Sequence, residues 1–313
     1  MGAVTPLGSS VEEFVAGMKA KKVGFRPIST FDPSATGVSL AGEAADFDPL
    51  KRLGKKDLRR MDRFSQLAVY SALEALEQAD FKDDDLEPEQ FGVIYGSGIG
   101  GLTTIQNQVI RMHEKGDDRV SPMFVPTAIA NMAAGNLAIR FNAKNVCMTI
   151  VTACSSGANA IGEAFRAVQS GRAEIMLTGG SEASINEIGI SGFAALSTLD
   201  TETDPKKVSL PFDKNRGGFV MGEGAGTLVL ESLEHAQVRG AKILGEIVGY
   251  GATEDAYHIT SPDPSGVQAA RAMDLAIREA GIKKEQVGYI NAHGTATKGN
   301  DSAESAAINQ LFG

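Results

Sequence analysis

Ile150-Val151-Thr152-Ala153-Cys154-Ser155-Ser156-Gly157 is the stretch on which the fold turns. The β-branched run before it predicts a strand over 147–153. The small residues after it predict a helix over 158–169. A thiol therefore sits at a strand-to-helix turn, the arrangement of a nucleophile elbow. A helix N-terminus lowers a thiol pKa through its partial positive charge, and its free N–H groups can hold an oxyanion. The competing reading is a small buried cysteine, the common fate of this residue.

The same pattern extends outward in both directions. Upstream, 91–95 predicts a strand ending in Gly96-Ser97-Gly98-Ile99-Gly100-Gly101, followed by helices over 105–113 and 126–139. Downstream, 174–178 predicts a strand closing in Gly179-Gly180-Ser181. The glycine-rich 217–226 precedes a strand over 227–230, and a helix over 233–239 ends at Gly240, a natural residue just past a helix C-terminus. Near the start, 1–8 reads as a loop, Ser10 caps a helix over 11–19, and a basic stretch leads into a helix over 64–78. Strands alternating with helices imply parallel βαβ units and an α/β fold.

An internal repeat is visible. Residues 73–98 run helix, short acidic loop, Glu89-Gln90, strand and glycine-rich end. Residues 272–294 run helix, short loop, Glu285-Gln286, strand and glycine-rich end. A duplicated architecture explains this, with halves at 1–242 and 243–313. The second half would hold only two strands, so it is expected to be incomplete.

Composition narrows the function. The chain has 313 residues and a formal net charge of −9, which argues against nucleic-acid binding. Its two cysteines, Cys147 and Cys154, form neither a disulfide framework nor a metal pair. Cys147 lies within the strand and is expected to be structural. No apolar run is long enough to span a membrane, and the expected location is the cytoplasm.

His293 is the second chemical candidate. Tyr289-Ile290-Asn291-Ala292-His293-Gly294-Thr295-Ala296-Thr297 puts it at a strand end, where parallel sheets bind ligands. It can exchange protons near neutral pH. His113 and His235 sit on predicted helices and read as surface residues; His258 could order its loop. Gly96–Gly101 matches a dinucleotide-binding GxGxxG but lacks the acidic residue that should close a second strand. The basic run Lys55, Lys56, Arg59, Arg60, Arg63 reads as a solvated face or as a docking site for an acidic partner.

Thr152-Ala153-Cys154-Ser155-Ser156-Gly157 and Asn291-Ala292-His293-Gly294-Thr295 together resemble the β-ketoacyl-acyl-carrier-protein synthases, most closely the type II group of bacterial fatty-acid synthesis. The resemblance runs from Gly2 to Gly313 and includes residues 96–101, 121–131, 211–226 and 255–262. It implies a thiolase-like five-layer αβαβα fold of two duplicated halves, and a homodimer. It also implies an acyltransferase that performs decarboxylative Claisen condensation without metal or redox cofactor, its substrates carrying phosphopantetheine through acyl-carrier protein.

By that resemblance Cys154 takes the acyl chain as a thioester and its N–H is one oxyanion donor. His293 polarises the malonyl thioester. Thr295 and Thr297 hold the phosphopantetheine arm. Ile99 and Phe193 line the acyl pocket, and Phe124 lines that of the neighbouring subunit. Lys56, Arg59 and Arg60 form the carrier-protein docking surface. Asp301 and Glu304 are expected to be structural. The family also has a strand before the loop at Gly2, and beyond the position of Gly313 a lysine, a second histidine and a glycine-rich loop with a gating phenylalanine. The chain is thus expected to be truncated at both ends. The alternative is a catalytically impaired fragment or a non-catalytic remnant that dimerises or binds carrier protein. Retention of Cys154 favours an enzyme.

Overall fold

The strand, turn and helix expected around Cys154 are all present. The computed structural model describes residues 1–82 and 85–313. Its elements run β1 (Gly2–Val4), α1 (Val11–Lys19), β2 (Arg26–Pro27), β3 (Leu40–Ala41), α2 (Lys55–Leu58), α3 (Arg63–Ala79), β4 (Phe91–Gly96), α4 (Leu102–Lys115), α5 (Phe124–Ala128), α6 (Met132–Phe141), β5 (Cys147–Ile150), α7 (Ser156–Gln169), β6 (Ile175–Glu182), α8 (Glu187–Ala195), β7 (Gly224–Glu231), α9 (Leu233–Val238), α10 (Val267–Glu279) and α11 (Lys298–Phe312). The chain divides into two compact units. One holds Met1–Asp32, Ala41–Ile190 and Met221–Leu244; the other holds Pro33–Leu40, Ser191–Val220 and Gly245–Gly313. Residues 33–40 and 191–220 precede position 243 yet group with the second unit.

The first unit is built on a five-stranded sheet of order β1-β7-β6-β4-β5. β4 lies parallel to both β5 and β6, with Val93 opposite Cys147 and Phe91 opposite Ile175. β7 runs antiparallel to β6 and to β1, so the sheet is mixed rather than wholly parallel. Helical crossovers join β4 to β5 and then β5 to β6 on the far side of β4, as parallel strands require; an antiparallel neighbour such as β7 needs none.

Side-chain alternation along the two central strands sends residues to opposite faces. Val93, Tyr95, Ile175 and Leu177 join Phe64, Leu67 and Ala68 of α3 and Leu137 of α6. Ile94 and Met176 join Ala160, Ala164 and Ala167 of α7. Both faces are covered, which is why β4 reads as a continuous apolar run. The alanine stripe of α7 brings its backbone close to the sheet.

Three expectations change. The stretch 1–8, read as a loop, contains β1, which pairs Gly2 with Thr227 and Val4 with Ala225 before a tight turn closed by Thr5 and Gly8. Helix 126–139 is two helices. The Ala128 carbonyl accepts the Gly101 N–H (2.9 Å), and Ile129 turns extended before α6 begins. β6 does not close at Gly179; its ladder with β7 continues to Glu182 opposite Gly224.

In the second unit no strand is assigned among the described residues of 243–313. A strand is held by its neighbours: β1 by β7, and β4 by β5 and β6. Among the described residues the stretches expected as strands here have no such ladder. The repeat shows in the packing instead. A Cβ at Gly2 would overlap the Ser71 carbonyl of α3, and one at Gly251 would overlap the Ala272 carbonyl of α10. Past α3 the Lys82 N–H donates to Asp85; past α10 the Lys283 N–H donates to Gln286. The acidic loop of the first copy includes residues 83 and 84, which lie outside the described residues.

Candidate active site

Cys154 is solvent-exposed, which removes the buried-cysteine reading. It lies in a 3₁₀ turn, Ala153–Ser155, between β5 and α7. Ala153 adopts φ +52, a left-handed conformation that costs an L-residue about 1–2 kcal/mol. Hydrogen bonds hold the turn in place. The Thr152 N–H donates to Ser156 Oγ (2.9 Å), Ser156 Oγ donates to the Ala153 carbonyl (2.7 Å), and Ser155 Oγ to that of Thr152 (2.7 Å). No side chain caps α7, because Ser155 sits at the N-cap in helical conformation without bonding forward. The positive end of a 14-residue helix therefore begins directly after the thiol. Gly96 makes the site possible, since a Cβ there would overlap the Ser156 carbonyl. Cys147 opens edge strand β5 and is exposed rather than packed in the core as a structural residue; partial desolvation pushes its thiol pKa up.

The glycine-rich loop after β4 lies beside this turn. Gly98 would place a Cβ 3.3 Å from the Ala153 carbonyl. The Glu182 carboxylate, from the end of β6, accepts the N–H groups of Gly98 (2.7 Å) and Ile99 (3.1 Å) through one oxygen. Burial pushes the Glu182 carboxyl pKa up, against these N–H groups, which pull it down. Amides already bound to a carboxylate cannot cradle a pyrophosphate, so the dinucleotide reading of Gly96–Gly101 fails on chemistry. Ile99 is 37% exposed. Phe124 opens α5, whose last carbonyl holds Gly101.

Lys56 lies on α2 and Arg59 caps it, with Arg60 next. All three are exposed, and none forms an ion pair among the described residues.

In the second unit His293 is exposed, on the segment that leads into α11. Glu304 accepts the N–H groups of His293 (2.7 Å) and Gly294 (2.8 Å). Asp301, 2% exposed, accepts the Ala296 N–H (3.1 Å) and the Phe212 N–H (2.7 Å). Arg216 faces Asp301 at 3.6 Å and donates to the carbonyls of Thr297 and Lys298. Thr295 and Thr297 share a hydroxyl–hydroxyl hydrogen bond of 2.9 Å, and Thr297 caps α11. A cavity of about 490 Å³ adjoins them, lined by Ser197, Arg216, Gly218, Thr297 and Lys298 among others. Phe193, on α8, packs edge-on against Phe219 at 5.7 Å.

Of the remaining histidines, two hold local structure and one is a surface residue. His258 Nδ1 accepts the N–H groups of Thr260 and Ser261 and orders its loop, as expected. His235 is less exposed than its helix suggested, because its ring meets Glu231 at 2.6 Å beside Arg239. His113 is exposed on the last turn of α4.

Residues 1–236 match the family model of the β-ketoacyl synthase N-terminal domain, and residues 244–313 that of the C-terminal domain. The chain belongs to the β-ketoacyl synthase family. The synthase is 46% identical to 3-oxoacyl-[acyl-carrier-protein] synthase 2 of Synechocystis sp., over all of this chain and 76% of that protein. It superposes with TM-score 0.91 on a β-ketoacyl synthase from Burkholderia phymatum, at 35% identity, covering all of this chain and 76% of that one. It gives the same TM-score at 30% identity, and the same coverage, with the ketosynthase AntDE, solved with a type II polyketide acyl-carrier protein. The fold is the expected thiolase-like α/β arrangement, and the synthase is an acyltransferase of fatty-acid synthesis.

The structure brings Cys154, Ile99 and the Phe124 helix together in the first unit, and His293, Thr295 and Thr297 together in the second. Phe193 belongs to the second unit and the basic trio to the first. Sequence reasoning passed over Glu182 and Arg216. Both lie at the edge of glycine-rich stretches read for their glycines, and a charged residue there was the available signal. Among the described residues no group of three or more His, Cys, Asp or Glu is placed to hold a metal ion.

Proposed function

We propose that the synthase condenses a Cys154-bound acyl chain with a malonyl unit, both delivered on acyl-carrier protein. The observation that carries this reading is the exposed thiol at the uncapped start of α7, after a left-handed Ala153. The helix favours the thiolate, which attacks the incoming acyl thioester; the carrier thiolate leaves, and the acyl group stays on sulfur. The Cys154 N–H donates to the oxyanion formed in that step. His293 donates to the malonyl thioester carbonyl. The malonyl carboxylate departs as carbon dioxide, its electron pair becomes an enolate, and the enolate carbon attacks the Cys154 thioester. The Cys154 thiolate is released with a β-ketoacyl product two carbons longer. No metal or redox group enters the sequence.

Thr295 and Thr297 hold the phosphopantetheine arm beside His293, supported by their position at the start of α11. Ile99 and Phe193 line the acyl pocket, and Phe124 lines that of a second subunit. The exposed cations Lys56, Arg59 and Arg60 dock the acidic carrier protein, in the manner of a charged encounter surface. The assembly is a homodimer through β5, an edge strand with exposed Met148 and a solvent-facing Val151 just beyond it. Cysteines kept out of a disulfide suit the reducing cytoplasm. A non-catalytic remnant is disfavoured by the retained, exposed thiol.

Product formation tests the roles. The chain is given acyl-carrier protein loaded with an acyl group, then malonyl-carrier protein, and carbon dioxide and thioesters are followed. His293→Ala is expected to load Cys154 but to release carbon dioxide about 100-fold more slowly. Equal decarboxylation by His293→Ala contradicts the assignment.

A further inference from the structure

Among the described residues, Glu182 is a largely buried carboxylate beside the nucleophile turn that the proposed chemistry does not use. One of its oxygens accepts two consecutive N–H groups, of Gly98 and Ile99. Its other oxygen meets Ser184 Oγ at 3.4 Å. β6 places it there, since Glu182 is the last residue of an eight-residue ladder with β7 and cannot shift without moving the strand. The loop it holds has few anchors of its own. Among the described residues the N–H groups of Gly98 and Ile99 have no other hydrogen-bond acceptor, and Ile99 is 37% exposed. Ser97 supports only the next residue, accepting the Gly100 N–H at 3.2 Å. On its far side the loop meets the Ala153 carbonyl, next to the nucleophile.

We infer that Glu182 is a positioning residue that sets acyl-chain selectivity, by fixing the backbone from which Ile99 projects beside Cys154. Two N–H groups on one carboxylate oxygen fix the 97–98 and 98–99 peptide planes, and Ser97 Oγ holds the 99–100 plane through the Gly100 N–H, so the Ile99 side chain leaves from a backbone fixed on both sides. A charge-assisted hydrogen bond is roughly twice as strong as a neutral one, which suits a loop whose two successive N–H groups rest on a single oxygen. The inference rests on the proposed reading of Ile99 as a wall of the acyl pocket.

Loop order and chain-length preference are measured together on the full chain. Amide exchange at Gly98 and Ile99 is followed by NMR or mass spectrometry. Loading of Cys154 is timed with acyl thioesters of short, medium and long chain. Glu182→Ala is expected to speed exchange at both amides about tenfold or more, as loss of their acceptor requires. It is also expected to change the ratio of long- to short-chain loading about fivefold or more. Glu182→Gln keeps an acceptor oxygen in place and is expected to restore most of both properties, whereas Glu182→Met, of similar size without an oxygen acceptor, is expected to restore neither, which separates the acceptor from mere bulk. Glu182→Ser is read in the same way should the alanine chain fail to fold.

Unchanged exchange in Glu182→Ala overturns the inference. Faster exchange with the wild-type chain-length ratio also overturns it, and Ile99→Phe then locates the fault. If Ile99→Phe shifts the ratio, Ile99 lines the pocket and only the role of Glu182 fails. If Ile99→Phe leaves the ratio unchanged, the pocket reading itself fails.

Discussion

At the scale of single residues, the turn around Cys154 trades backbone comfort for position. Ala153 is held at φ +52 by the hydroxyls of Ser155 and Ser156, which bond the carbonyls of Thr152 and Ala153. Serine in place of Cys154 keeps that geometry but offers an alcohol that does not ionise near neutral pH. Cys154→Ser is therefore expected to lose acyl loading by at least about 10³-fold while retaining the fold, as checked by acylation kinetics beside circular dichroism. A second residue-scale test lies in the core. Tyr95 is fully buried, and its hydroxyl meets Thr227 Oγ1 at 2.9 Å, which in turn meets Ser71 Oγ at 2.7 Å. Burial pushes its pKa from the ordinary value of 10.0 up to about 12. The folded state thus holds the phenolic proton more tightly than the unfolded chain. That stabilisation is fully present below pH 10 and is lost as pH rises toward 12, a change of about 2–3 kcal/mol. Tyr95→Phe is expected to flatten this alkaline limb and to cost about 1 kcal/mol at neutral pH, read from urea midpoints at both pH values. An unaltered alkaline limb would place the titration elsewhere.

Among the elements, the sequence was most legible where one element carries one periodicity. The helix at 11–19 has its boundaries as expected, because Ser10 caps it by accepting the Glu13 N–H and α1 ends at Lys19. β4 announced itself as an apolar run because both faces are covered. Legibility failed where a long-range partner decides. β1 is three residues between turn formers and exists through its ladder with β7, over two hundred positions away. The α5–α6 break depends on the Gly101 N–H claiming the Ala128 carbonyl. The candidate site divides in the same way. Cys154 and His293 were readable from local motif, whereas Glu182 reaches back from 84 positions along the chain. A prediction belongs to the meeting of elements. Gly96→Ala at the end of β4 puts a methyl group into the Ser156 carbonyl at the start of α7. It is expected to cost about 2–4 kcal/mol of stability and to slow Cys154 loading more than tenfold. Wild-type loading would mean that the elbow can shift without consequence.

For the molecule as a whole, net charge and local charge point in different directions. The chain carries −9 overall, yet Lys56, Arg59 and Arg60 are exposed with no ion pair among the described residues. Binding to acidic carrier protein is expected to weaken as salt rises. Reversing the three charges to Glu is expected to weaken it about tenfold or more and to flatten the salt dependence, measured by titration at several ionic strengths. The open edge of the sheet makes a separate prediction. A second copy covering β5 gives a dimer by sedimentation velocity, and Met148→Lys with Val151→Lys shifts it toward monomer. A wild-type chain that sediments as a monomer at micromolar concentration contradicts the dimer.

The most direct test is intact-mass and peptide mass spectrometry of the chain after incubation with acyl-loaded carrier protein. An acyl group on the peptide containing Cys154, removed by hydroxylamine and missing from Cys154→Ala, is the predicted result. Acyl transfer that persists in Cys154→Ala, or a chain left unmodified beside a correctly folded wild-type control, would contradict it.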